Sequence, residues 1–274
     1  MRRLVRTDSM KPVSALAKYL EAYDDQLRTD AETPSAIRVD LLDPLRLVTF
    51  AGGRGFITYR DLGGVDRRGI ADLVGRALDR FRADPEITRV EWKSRGHDRA
   101  PGLHEALLAQ GFLPDETESI MIGPLEGLCT GVVVPEGVRL RRITEDPEVR
   151  AMSAMVDEAF GEGADARRAE ALIDRLARND GLELWVAETD GRMVAGGRLE
   201  PVPGTDFAGI WGGATLAAYR ARGIYRALTA ARARSALAAG KTLAHSDSTE
   251  YSRPILERSG LLKVSTTTPY NWAR

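Results

Sequence analysis

The stretch Tyr219-Arg220-Ala221-Arg222-Gly223-Ile224-Tyr225-Arg226-Ala227-Leu228 constrains this chain most. It joins a predicted strand, Ile210–Leu216, to an alanine-rich run from Gly223 to Ala239. In that run Ile224, Ala227, Leu228, Ala231 and Ala238 share one helical face. A basic, glycine-bearing turn that opens a helix is built to take an anion. The first N–H groups of a helix lack internal partners, and the macrodipole makes that end positive. Gly223 lets the chain turn and lets a phosphate approach the backbone. Arg220, Arg222 and Arg226 add charge and fork-shaped donors. The expected ligand carries a phosphate or diphosphate. A Walker loop would need Lys-Ser/Thr after its glycines, and a dinucleotide fingerprint three spaced glycines; the segment has neither.

Periodicity around this turn predicts mixed strands and helices. A leading helix carries Val13, Leu16, Leu20 and Tyr23, with Asp8-Ser9 as its expected cap. Strands are expected at Ile37–Leu42, Leu45–Phe50, Phe56–Tyr59, Arg89–Trp92 and Glu118–Ile122, with helices at Asp66–Phe81 and Leu103–Gln110. The glycine- and proline-bearing stretch Gly123–Glu136 reads as a linker. Beyond it come strand Val138–Arg142, helices Pro147–Phe160 and Ala166–Arg178, and strands Glu183–Thr189, Met193–Glu200 and Ala208–Leu216. After the alanine-rich helix follow strand Thr242–Ser246, helix Ser252–Arg258 and strand Val264–Trp272. The fold class is α/β (α+β): a mixed twisted sheet flanked by helices, in tandem. The division is 1–126, a linker at 127–136, and 137–274. A weak repeat at an offset of 149 aligns Gly111 with Gly260, Asp98 with Asp247, Leu107 with Leu256 and Leu113 with Leu262.

Composition removes several function classes. The 39 Lys and Arg nearly balance 40 Asp and Glu, for a net charge of -1, which argues against a nucleic-acid-binding protein. No run approaches the roughly 18 apolar residues of a membrane span. The one cysteine, Cys129, and three histidines, His97, His104 and His245, argue against a disulfide framework and a metal site. The N-terminus lacks an apolar signal core. A soluble, reduced, cytoplasmic protein is expected.

The turn resembles the pyrophosphate loop of the GNAT superfamily of N-acetyltransferases. That motif is Arg/Gln-x-x-Gly-x-Gly/Ala, here Arg220-x-x-Gly223-x-Tyr225, with Tyr225 in place of the second small residue. The preceding strand and the downstream unit Pro254-Ile255-Leu256-Glu257-Arg258-Ser259-Gly260 match as well, so the resemblance spans about residues 137–274. It implies acetyl-CoA as co-substrate and acetyl transfer to an amine. The diphosphate would rest on the amides of Arg222, Gly223, Ile224, Tyr225, Arg226 and Ala227, and the pantetheine arm along Ala214, Thr215 and Leu216. Two parallel strands, Ile210–Leu216 and Thr242–Ser246, would splay to admit that arm. A backbone N–H near Ala214 would polarise the thioester carbonyl.

An amine near pKa 10 is protonated at neutral pH, so a base helps. Glu200 and Asp247 are the candidates, and Glu162 is a further option for holding a cationic acceptor. Many relatives carry a tyrosine acid where this chain has Leu256; Tyr251 is the nearest substitute. His245 is expected to be a buried, satisfied histidine, and Trp211 a core or pocket-wall residue. The N-terminal half has Asp61 and Asp66 around its own turn, which disfavours an anion. It is therefore expected to be a degenerate copy that serves as scaffold and acceptor-site wall. The acceptor class stays open between a small amine, an antibiotic, an amino acid and a protein N-terminus, as does homodimer formation. The competing expectation is a non-catalytic acyl-CoA binder.

Overall fold

In the computed structural model of the chain, residues 14–161, 163 and 166–274 are described. Helix α1 (Ala15–Gln26) starts at Ser14, whose hydroxyl accepts from the Ala17 N–H. The expected cap Asp8-Ser9, Val13 and Glu162 lie outside the described residues. The N-terminal half continues with β1 (Arg38–Leu42), β2 (Leu45–Phe50), β3 (Arg54–Thr58), α2 (Arg67–Arg82), β4 (Arg89–Arg95), α3 (Leu103–Ala109), β5 (Leu113–Pro114) and β6 (Glu118–Pro124). The predicted face of α2 is the buried one: Ile70, Leu73, Val74, Ala77, Leu78 and Phe81 all pack inward.

The linker reading is corrected for residues 123–129. Gly123 and Pro124 finish β6, and α4 (Leu125–Cys129) follows directly, with Leu125 and Leu128 buried against Ala233 and Ala236. The irregular connection begins at Thr130. The short helix hid in the sequence because its glycine and proline mask a two-residue apolar contact.

The C-terminal half runs β7 (Arg139–Ile143), α5 (Asp146–Phe160), α6 (Ala166–Ala177), β8 (Glu183–Thr189), β9 (Arg192–Pro201), β10 (Phe207–Thr215), α7 (Ile224–Ala238), β11 (Leu243–Ser248), α8 (Arg253–Arg258) and β12 (Leu262–Ala273). Among the described residues all strands join one sheet in the order β1-β2-β3-β4-β12-β6-β11-β10-β9-β8-β7, with β5 paired to β12. The two halves thus exchange their last strands. β12 lies along β4 from Thr267↔Arg95 to Ala273↔Arg89, and β6 lies along β11 from Leu243↔Pro124 to Ser248↔Ser119. β6 and β12 also pair with each other.

Helices α7, α4 and α8 cover one sheet face over Leu199, Ala208, Ala244 and Met121. Helices α5 and α6 cover the other over Leu184 and Val186. On that second face α1 brings Tyr23 and Leu27 onto Ile122, Val202 and Phe207, across the boundary between the halves. The repeat holds at its helices: Leu107 and Leu256 are buried, and Gly111 (φ 86°) and Gly260 (φ 91°) end α3 and α8 in left-handed turns. It slips at the strands, since Asp98 lies in the turn past β4 whereas Asp247 lies inside β11.

Candidate active site

β10 and β11 run parallel and pair only at Phe207↔Leu243, Ala208↔Ala244 and Gly209↔His245. β10 then continues to Thr215 and β11 to Ser248 without pairing further. At the same level the β10–β9 register shifts between Trp211 and Ala214, and Gly212 takes φ 57°. The bulge bends β10 away, so one edge of its main chain lies open toward β11.

Arg232, on α7, holds that bulge. Its side chain is fully buried, and its guanidinium donates to the Arg198 and Trp211 carbonyls at 3.1 and 3.3 Å and to the Thr229 hydroxyl at 3.0 Å. Burial pushes its pKa down to about 10, which still leaves it charged at neutral pH. Two glycines make the room. A Cβ on Gly197 would stand 2.5 Å from an Arg232 nitrogen, and one on Gly213 2.8 Å from the Tyr225 ring.

At the mouth of the splay Gly223 caps α7 with φ 78°, a conformation costly for other residues, and no side chain caps the helix. The first-turn N–H groups of Ile224, Tyr225 and Arg226 therefore have no capping side chain. Ala227 is corrected: its N–H donates to the Gly223 carbonyl. Tyr225 turns its ring inward against Gly213, so it does not crowd the turn. The arginines divide their work. Arg220 donates to the Thr215 and Ala159 carbonyls at 3.1 and 2.7 Å, so it ties the loop to β10 and α5. Arg226 donates to the Thr130 carbonyl at 3.3 Å. Arg222 is exposed, with its guanidinium over the Tyr219 ring. Ala214 and Thr215 pair with β9 on one side only, whereas the Leu216 N–H is taken by the Val194 carbonyl.

The N-terminal half has the same order of elements but a closed geometry. β3 and β4 pair in register from Arg54↔Arg89 to Ile57↔Trp92, nearly the whole of β3. Helix α2 is capped by Asp66, whose carboxylate accepts from the Gly69 N–H at 2.8 Å. A carboxylate on that helix end repels an anion, and the paired strands leave no slot.

A cavity of about 120 Å³ opens beside the splay, on the face shared by α1, α5 and α6. Its floor is Trp211 and His245, with ring centroids 4.9 Å apart. Gly209 permits this, since a Cβ there would meet the Trp211 Nε1 at 2.2 Å. The expected satisfied histidine is not found: His245 Nε2 is buried without a hydrogen-bond partner. Burial lowers the His245 pKa to about 4, so the ring is neutral at physiological pH. Glu200 and Asp247 both line the cavity, and Tyr251 does not. Tyr251 is 91% exposed. Glu200 pairs with Arg175 at 3.0 Å and Arg198 at 3.7 Å. Asp247 pairs with Lys93 at 2.8 Å. Burial alone would raise the Asp247 carboxyl, but Lys93 holds it below its ordinary value. Lys93 is raised: desolvation opposes its charge, and Asp247 and Glu32 outweigh that. Glu32, from the turn after α1, also meets Arg95 and closes the N-terminal wall. Glu32 and Arg175 escaped the sequence reading because Lys93 and Glu200 lie far away along the chain.

The splayed parallel pair and the uncapped helix start lie within a segment that matches a known family. Residues 149–260 match the acetyltransferase (GNAT) family, and the C-terminal half carries a domain of that family. No curated protein matches the chain in sequence. Solved structures share the fold across both halves. A GCN5-related N-acetyltransferase from Kribbella flavida is 19% identical, with 94% of this chain and 95% of that chain covered and a TM-score of 0.66. Another from Sphaerobacter thermophilus is 19% identical, with 94% and 91% covered and a TM-score of 0.58. A tandem GNAT protein from the clavulanic acid biosynthesis pathway is 17% identical, with 84% and 78% covered and a TM-score of 0.58. The mixed, helix-flanked sheet is therefore GNAT-like. No described helix is long and apolar enough to cross a membrane.

Proposed function

We propose that the protein is a cytoplasmic, acetyl-CoA-dependent N-acetyltransferase whose C-terminal half binds the cofactor and whose N-terminal half is a degenerate copy that walls the acceptor site. The parting of β10 from β11 beneath the uncapped start of α7 carries this reading. An extended amide chain fits the open edge of β10 as an added strand would. The amides of Ile224, Tyr225 and Arg226 take the diphosphate, with Arg222 at its rim.

The thioester supplies an activated acyl group, so the protein's task is to orient, polarise and deprotonate. The bulge around Gly212 and Gly213 follows Trp211, which lines the cavity, and its main-chain N–H groups would polarise the thioester carbonyl, with the Trp211 carbonyl fixed by Arg232. The acceptor amine enters over Trp211 and loses its proton to Glu200, directly or through water. Asp247, held by Lys93, serves as a fixed charge. The thiolate leaves without a dedicated acid, consistent with a thiol pKa of roughly 8–9.

Thiol release from acetyl-CoA in the presence of primary amines tests the reading. Turnover is expected, and Glu200→Gln is expected to lower kcat by about 100-fold with the KM for acetyl-CoA unchanged. Tight cofactor binding with no turnover for any amine would instead mark a non-catalytic acyl-CoA binder.

A further inference from the structure

The cavity beside the splay is small and lined by charges of both signs, and it draws on both halves of the chain. Its volume of about 120 Å³ is well below the roughly 300–1,000 Å³ of drug-sized pockets. On one flank Arg175 joins Glu200 and Asp180, at 3.0 and 3.2 Å. On the other, Lys93 joins Asp247 and Glu32, at 2.8 and 3.9 Å. Arg198 stands behind Glu200 and Arg95 behind Glu32. The lining acids Glu32, Asp180, Glu200 and Asp247 outnumber the lining bases Lys93 and Arg175, and Arg198 and Arg95 behind them restore the balance. Side chains of Lys93, Asp247, Arg175 and Glu200 are only 11–21% exposed, so added charge would be poorly screened.

Electroneutrality selects the ligand. A diamine would bring excess positive charge among groups already balanced, and a dianion the reverse; both pay desolvation without a counter-charge. An uncharged apolar molecule would strip water from ion pairs and give nothing back. A molecule with one ammonium and one carboxylate replaces water at both flanks and leaves the balance intact. Resting on the acetyl-transfer reading above, we infer that the acceptor is a small zwitterionic amine of the amino-acid class. Glu200 and the Trp211 face receive its ammonium, and Lys93 receives its carboxylate. Glu200 is the right end for the amine because it stands in register with Gly209, where β10 and β11 part. Lys93 has three N–H donors and faces two carboxylates, which leaves a donor for a third. Ala31 and Leu27, from the N-terminal half, line the cavity beside them and limit the side chain.

The test uses the full chain. Free-thiol release is measured with single amino acids, the amines formed by their decarboxylation, 1,4-diaminobutane and a short peptide, at saturating acetyl-CoA. Binding of the same compounds to the cofactor-free protein is followed by calorimetry. The amino acid is expected to exceed its decarboxylated amine in kcat/KM by roughly 10–100-fold, the loss expected for one charged hydrogen bond. Lys93→Met is expected to erase that preference and leave the KM for acetyl-CoA unchanged. Because Lys93 is buried, Ala31→Phe gives a second reading: it fills the cavity, so it is expected to raise the acceptor KM about tenfold or more, with the acetyl-CoA KM kept. A wild-type preference for the diamine or the decarboxylated amine overturns the inference and leaves acetyl transfer standing. An Ala31→Phe variant with unchanged acceptor KM overturns it likewise. Absence of acetyl-CoA binding removes the parent reading, and the inference falls with it unless calorimetry still shows the amino acid binding and the amines not.

Discussion

At the scale of single residues, the site depends on groups whose surroundings override their usual behaviour. His245 is the clearest case. Its folded pKa of about 4 lies below its ordinary 6.5. Between those values the unfolded chain binds more protons than the folded one, so stability rises with pH across the window and is complete above 6.5. The urea midpoint is expected to fall on acidification from pH 6.5 to 4, and His245→Phe to flatten that slope. An equal slope in both proteins would show that the ring is not held neutral by the fold. Glu200 and Asp247 were legible in the sequence as acids at strand ends beside an expected cleft. Their counter-ions were not, because Arg175 and Lys93 approach from α6 and β4. His245 was misread as satisfied, since the sequence does not reveal that Trp211 folds back over Gly209 and that the His245 Nε2 is buried without a partner.

At the scale of elements, the strand–turn–helix from β10 to α7 was legible almost in full. Its signals are local: the small-residue helix, the glycine and the arginines occur within about two helical turns of each other. What it lacked was Arg232. In an amphipathic pattern an arginine reads as surface, but this one is fully buried. Only its conjunction with Gly197 and Gly213 explains it, and these lie 35 and 19 positions away. The guanidinium replaces ladder bonds that the bulge breaks, so the bulge and the arginine stand or fall together. Arg232→Met removes donors from two carbonyls in a dry interior. It is expected to lower stability by about 3 kcal/mol, as for breaking a buried charged contact, and to raise the KM for acetyl-CoA. Chemical denaturation and steady-state kinetics read both effects. Unchanged stability would mean that water or a relaxed backbone satisfies Arg198 and Trp211 instead. The short α4 was missed for a simpler reason: its helical signal spans barely one turn.

At the scale of the whole molecule, the element order in each half was legible and the pairing between halves was not. Periodicity fixes a strand's inward face but not its neighbour, and β12 finds β4 some 170 residues upstream. The strand exchange means that residues 137–274 alone lack β6, the partner of β11 and β12. Expressed separately, that segment is expected to be aggregated or unfolded, and co-expression with residues 1–136 is expected to restore acetyl-CoA binding. A well-folded, cofactor-binding fragment 137–274 would show that the exchange is dispensable. The exchange also brings Lys93 and Glu32, from the half without an anion slot, to the cavity beside the splay. All of this presupposes that the start of α7 grips a diphosphate through its amides. Calorimetric titration of acetyl-CoA into the wild-type chain and into Gly223→Asp tests that directly. The account predicts saturable binding to the first and at least about 100-fold weaker binding to the second, through strain at a positive φ, steric bulk and like charge; equal affinity in the two proteins would contradict it.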